Sequence, residues 1–387
     1  LYRDANGMAE QNPDTLVEAV QSVIKQAAQA ADLDQGKLLA VSFSSANQSL
    51  ILLDDKHHPL TRALTWADTR ARAVADQLKR TPAGKQLYAS TGTPIHPMSP
   101  LTKLLWLKQA HPDLMARASY FADIKSYLFY KLFGVFRFDV SIASCTGMLN
   151  VTTGDWDERA LALTGVQPEQ LPEVVSGTTQ EIGLLPNAAS AMSIPAQTPF
   201  VYGAFDGALS NLGVGAIEKD TVAITIGTSA AVRVVTDHPV IDPKQRLFCY
   251  AVDNGLWVVG GPLNNGGDVF QWAVEHLVDA SAVQNEQVDA YELANDVIAS
   301  VPAGAHGLLF HPFLGGERAP LWDANARGSF FGLSQLHTRA DMLRAVMEGI
   351  NMNIATVFTA VADLVGEPRT VTATGGFANS EVWRQML

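Results

Sequence analysis

Short apolar strands and helices alternate along the whole chain, and from Phe200 onward four strand ends run into glycine. Alternation of this kind predicts an α/β fold, because strands and helices that follow one another bury their apolar faces in layers. Asn12-Pro13 reads as an N-cap with proline at the first helical position. Leu16, Val20, Val23, Ile24 and Ala27 then recur at helical spacing. Residues 38–44 and 50–53 read as strands. Asp68 is a candidate cap for a helix reaching Leu78, and Ser99-Pro100 opens another that contains Leu101, Leu104, Leu105 and Trp106. Residues 122–133 form a third helical stretch, stopped by Gly134. In the later half, 222–226 and 231–234 read as a hairpin around Gly227-Thr228-Ser229. A strand at 256–259, a helix at 268–278 and a long helix at 339–365 follow. A strand at 369–374 then leads through Gly375-Gly376 to a final helix.

The length of 387 residues fits about two domains, divided here as 1–205 and 206–387 with the boundary near 204–216. A net charge of −12 argues against a nucleic-acid partner, which requires a basic surface. Cys145 and Cys249 have no metal-ligand spacing, so a zinc site or disulfide framework is not expected. No apolar run approaches membrane-spanning length and no secretory segment is visible, which predicts a cytoplasmic chain without a membrane partner. The chain opens on Leu1 and stops inside a helical pattern, as expected of a fragment.

Several stretches carry chemistry. In Val201-Tyr202-Gly203-Ala204-Phe205-Asp206-Gly207, a carboxylate stands where a strand gives way to a helix. Asp206 suits a general base aimed at a hydroxyl, and it equally suits a helix N-cap. Ile226-Gly227-Thr228-Ser229 is a tight turn whose N–H groups and hydroxyls can hold phosphate oxygens, or an ordinary hairpin turn. Residues 260–267 pack four glycines and two asparagines into eight positions before a helix, an arrangement suited to an anion or nucleotide. Thr374-Gly375-Gly376 is a further strand-to-helix turn that allows a ribose or phosphate close approach. Trp66-Ala67-Asp68-Thr69-Arg70 offers a guanidinium able to hold a carboxylate in bidentate fashion, or simply a cap and a solvated helix residue. Gly315-Gly316-Glu317-Arg318 reads as an ion-paired structural loop. The order of base candidate, phosphate turn, glycine-rich loop and second glycine turn is that of a phosphoryl-transfer site.

Taken in that order, these stretches resemble the FGGY carbohydrate kinases over the whole chain, from Gly7-Met8-Ala9-Glu10-Gln11-Asn12-Pro13 to Trp383-Arg384-Gln385. Residues 65–71, 93–100 and 260–267 are similar to the gluconate-phosphorylating branch. The resemblance implies two actin-like (ribonuclease H-like) domains flanking a catalytic cleft. It also implies ATP with Mg²⁺ and phosphorylation of D-gluconate to 6-phospho-D-gluconate. The alternatives are another polyol or ketose, such as xylulose or glycerol, or a non-catalytic actin-like nucleotide binder. The partners implied are a sugar acid and ATP, with a homodimer among the admissible assemblies. Residue by residue, Asp206 matches the catalytic base. Asn47, Gln48, Trp66, Asp68, Arg70 and Asn265 match the substrate side. Gly227, Thr228, Gly267, Gln271, Gly375, Gly376 and Asn379 match the nucleotide side, and no residue is assigned to a metal. The family's opening Asp-x-Gly-Thr hairpin and the part beyond the adenosine loop have no counterpart here. Asn47-Gln48 stands where many gluconate kinases carry Met-His, and Val140 where glycerol kinases carry Tyr.

Overall fold

The computed structural model describes residues 1–31, 38–253, 255–278 and 289–387. The chain divides into two compact units. The first comprises Leu1–Ser210 with Asp237–Ile241 and Cys249–Val258, and the second comprises Asn211–Thr236, Asp242–Phe248 and Val259–Leu387. A single cut at 205/206 misses the two segments that return to the first unit. Side-chain and backbone bonds hold the longer of them there: Cys249 N donates to Gly92 O at 2.9 Å, and Trp257 Nε1 donates to Val151 O at 3.0 Å.

In the first unit, Asn12 caps the helix Pro13–Ala30 by accepting from Asp14 N and Thr15 N, as its sequence predicts. Ser99 caps Pro100–Ala110, and Asp123 with Ser126 forms a capping box on Ile124–Phe133, which ends at Gly134. Asp68 caps nothing: the helix starts later, at Arg72, and its N-cap is Ala71. The strand Ile51–Leu53 pairs with Tyr120–Ala122 and is buried on both faces. Its alternation sends Leu50 and Leu52 into one core cluster and Ile51 and Leu53 into another. The strand Val41–Ser45, shorter at its start than the 38–44 expectation, runs parallel to Phe200–Phe205, with Phe205 opposite Ser45. The ends of these two strands therefore deliver their following residues to the same edge of the sheet.

The second unit is built on the hairpin of Thr221–Ile226 and Ala230–Thr236. Thr221–Ile226 also pairs in parallel with Thr370–Thr374. The helices Gly267–Leu277, Ala290–Ser300 and Arg339–Val365 belong to this unit. The helix Arg339–Val365 corrects the expectation that no apolar run reaches membrane-spanning length, since it is long and apolar enough to do so. Its Leu343, Val346, Ile350, Ile354, Val357 and Val361 are buried in the unit, which makes it a core helix here.

Candidate active site

Asp206 is the first residue of the helix Asp206–Gly213, directly after the strand Phe200–Phe205. Its carboxylate is exposed and accepts from the Gly207 N–H at 2.7 Å. Two residues beyond Ser45, at the same edge of the sheet, lies Asn47, whose Nδ2 donates to Cys145 Sγ at 3.2 Å. The carboxyl ends of parallel strands are where α/β sheets bind ligands. Asn47 and Trp66 line a cavity of about 150 Å³ with Arg3, Gln11, Ser49 and Thr65. Trp66 is 44% exposed, an unusual setting for so large an apolar surface.

Four of the substrate-side candidates bond to partners outside this cavity. Gln48 is buried with a left-handed φ of 64°, and its Nε2 donates to the Tyr250 hydroxyl at 3.2 Å. It shapes the turn and is withdrawn from the cavity. Asp68 is buried and accepts from Ala9 N at 3.0 Å and from Arg70. Arg70 donates through Nη2 to both Asp68 and Glu10 and lies over the Trp106 ring, 4.7 Å from its centroid. Its charge is already matched by two carboxylates, so it does not supply free positive potential to a sugar acid. Asn265 has no exposed surface: Nδ2 donates to Gly316 O at 2.7 Å and to Glu317 Oε2 at 3.0 Å, while Oδ1 accepts from Gly315 N. It braces the loop at 315–317 within the second unit. The Glu317 carboxylate is held by N–H donors from Asn264, Arg318, Asn265 and Asn353. This makes the loop structural, on an amide cage around the carboxylate. Burial, only partly offset by those donors, raises the Glu317 pKa.

Sequence reading missed Lys103 and Arg3. Lys103 is fully buried and donates from Nζ to Gln48 O at 2.6 Å, holding the strained turn that carries Asn47. Burial pushes its pKa down to about 7, against the pull of Asp68. A lysine inside the run Leu101–Leu107 was the available signal. Arg3 gave none, because it sits in a two-residue strand and reaches the cavity only through sheet pairing with Ala9–Gln11.

In the second unit, three glycine turns meet at a cavity of about 560 Å³. Its wall includes Gly227, Thr228, Gly267, Gln271, Gly376 and Asn379. Parallel pairing of Thr225 with Thr374 sets the first and last turns side by side. Gly375, at φ 120°, packs so closely that a Cβ would lie 2.0 Å from Ile226 O. A Cβ on Gly267 would lie 2.7 Å from Gly227 O, the acceptor of the Gly267 N–H. The helix Gly267–Leu277 does not offer its N-terminus to an anion as expected. Gly267 N and Asp268 N are taken by the carbonyls of Gly227 and Thr228, and Gly266 N and Val269 N by Asp268 Oδ1. Glycine here serves close packing of turn on helix, while exposed Thr228 and open Gly376 face the cavity. Phe270, Phe377 and Trp383 form an aromatic wall, with Trp383 edge-on to both other rings. Tyr291 and Asn295, one helical turn apart on Ala290–Ser300, complete it, and sequence reading did not single them out. An apolar wall beside polar turns accommodates a nucleoside carrying phosphates.

The chain matches the N-terminal domain model of the FGGY family of carbohydrate kinases over residues 1–213 and the C-terminal domain model over 222–387. It is 45% identical to a gluconokinase of Bacillus licheniformis across its full length, which covers 76% of that protein. Two solved structures from Lactobacillus acidophilus are each 38% identical, with a TM-score of 0.92 over all of this chain and 76% of theirs. One is described as a gluconate kinase and the other as a ligand-bound xylulose kinase.

Proposed function

The chain belongs to the FGGY family of carbohydrate kinases, and we propose that its reaction is transfer of the ATP γ-phosphoryl group to the terminal hydroxyl of D-gluconate, in the cytoplasm. The reading rests on the exposed carboxylate of Asp206 at the strand-to-helix junction, after a strand whose parallel neighbour leads to the cavity residue Asn47. Asp206 accepts the hydroxyl proton as the oxygen attacks phosphorus, and general-base help of this kind is worth about 10²–10⁴-fold. Asn47 and Trp66 contact the polyol, and Arg3, not Arg70, faces its carboxylate. Gluconate is favoured over xylulose because the 45% identity is to a gluconokinase, whereas the two structures at 38% divide between the two sugars.

On the nucleotide side, Gly227, Thr228, Gly375 and Gly376 hold the phosphates and ribose, and Gln271 and Asn379 flank the base. Mg²⁺ bound to the ATP phosphates neutralises their charge.

Phosphorylation of a sugar panel, followed by coupled ADP release, tests the substrate. Gluconate should give the highest kcat/KM; a higher value for xylulose or glycerol overturns it. Sugar-independent ATP hydrolysis as the sole activity would identify a nucleotide binder of another kind. Asp206→Asn should lose at least about 100-fold in kcat with the KM for ATP unchanged.

A further inference from the structure

Behind Asp206 runs a chain of buried polar groups that the reaction itself does not use. Lys125 and Asp139 are both almost wholly buried and pair at 2.6 Å, with Lys125 Nζ also donating to Tyr202 O at 3.1 Å. A buried ion pair repays its desolvation only when further hydrogen bonds complete it, and here they do so through neighbours that lead to Asp206. Asp139 Oδ2 takes the lysine, and Oδ1 accepts from the Ile142 N–H and from the Ser141 hydroxyl. That hydroxyl, itself fully buried, in turn accepts the backbone N–H of Phe205 at 2.9 Å. Phe205 is the residue before Asp206, and it is the last residue of its strand.

We propose that Ser141 is the positioning residue for Asp206: polarised by the Lys125–Asp139 pair, it anchors the Phe205 N–H and so fixes the direction in which the strand releases the Asp206 carboxylate. This rests on the reading of Asp206 as the base. The same short helix, Val140–Ser144, also governs the substrate side. The Cys145 thiol donates to Ser141 O at 3.1 Å and accepts from Asn47 Nδ2. Burial pushes the Cys145 pKa well up, so the group stays a neutral thiol able to do both. One helical turn thus sets the spacing between the base and a residue of the polyol cavity. Catalytic geometry is sensitive at this scale, where a displacement of about 1 Å costs on the order of 100-fold.

The test is a double-mutant cycle read in kcat at saturating sugar and ATP. Ser141→Ala should lower kcat about 10- to 100-fold with the KM for ATP unchanged, and Ser141→Thr, which keeps the oxygen, should recover most of it. In an Asp206→Asn background, Ser141→Ala should lower the residual rate by less than about twofold, because its only route to the chemistry is gone. A Ser141→Ala enzyme with wild-type kcat overturns the proposal, as does an equal loss in both backgrounds, which would mark general destabilisation. If the alanine variant does not fold, Ser141→Cys, a weaker acceptor of similar size, runs through the same cycle with the same criteria. The two ideas fail separately. Loss of turnover in Asp206→Asn without any in Ser141→Ala removes only the positioning role. Retained turnover in Asp206→Asn removes both.

Discussion

In the second unit the cavity wall combines three glycine turns with an aromatic face: the turns at 227 and 267 are joined by carbonyl–amide bonds, and the turn at 375 is set beside the first by strand pairing. In the first unit the cavity is small and lined by side chains, and behind it lie buried charges: Lys103 on Gln48, Lys125 on Asp139, and Arg70 between Asp68 and Glu10. The contrast follows from the ligands assigned to each. Phosphates of any nucleotide are alike, and backbone turns of fixed shape recognise them. A particular polyol must be told from others by side chains, and these need rigid support because a loose contact does not discriminate.

If the second wall depends on backbone shape, one methyl group in the wrong place should damage it most. Gly375→Ala puts a Cβ against Ile226 O in a left-handed conformation, at an expected cost of about 2–4 kcal/mol. Thermal unfolding should fall by at least about 5 °C, and the KM for ATP should rise more than that for sugar. An alanine variant melting with the wild type would remove the contrast at its strongest point.

Lys103 gives the matching test in the first unit. Burial lowers its folded pKa from 10.5 to about 7, so between those values the unfolded chain holds a proton that the folded chain has released. Its burden on the fold is therefore greatest below pH 7 and fades as pH rises towards 10.5, with a slope approaching about 1.4 kcal/mol per pH unit. Denaturant melts from pH 7 to 10 should show wild type gaining on Lys103→Met throughout. Parallel profiles would mean that the amine is solvated and that the Gln48 turn is held by something else.

This difference in construction also decides what could be read from sequence. A turn such as Gly375-Gly376 after a strand is contiguous, and its neighbours are set by one parallel pairing, so the glycine turns at the larger cavity were visible as words in the chain. Lys125, Asp139 and Ser141 are ordinary in sequence, and only the packing of a helix, a short strand and the strand before Asp206 makes them a network. Trp66-Ala67-Asp68-Thr69-Arg70 was legible as a motif, but the partners of its charges were not. Its charges pair inward because Ala9–Gln11, distant in sequence, brings Glu10 and the Ala9 N–H to them. Glycine in 260–267 was legible too, but its reason is close packing on Gly227, where an open helix end was expected.

Arg3 and Arg70 separate the two kinds of arginine in one assay. Arg3→Gln should raise the KM for gluconate about tenfold, the loss of one exposed charge contact worth about 1.4 kcal/mol, and should leave the melting temperature unchanged. Arg70→Gln should lower the melting temperature, because it leaves Asp68 buried without its cation, and should change both KM values alike. The opposite pattern would return the substrate's carboxylate to Arg70.

Gln271 supplies the smallest effect and bears on the comparison from the nucleotide side. It is exposed on the cavity wall, and its Nε2 bonds Glu275 at 2.7 Å, one turn further along the helix. Such a pair contributes about 0.2–0.5 kcal/mol to a helix. If the nucleotide is held chiefly by turns and aromatic surface, Gln271→Ala should change the KM for ATP by less than about threefold and the melting temperature hardly at all. A rise above tenfold would mean that an exposed side chain, not the main chain, does the recognition there, and the two walls would then differ in degree only. Measuring the same variant with GTP separates the cases further. A backbone-dominated wall should respond equally to both nucleotides, whereas a side chain that reads the base should not.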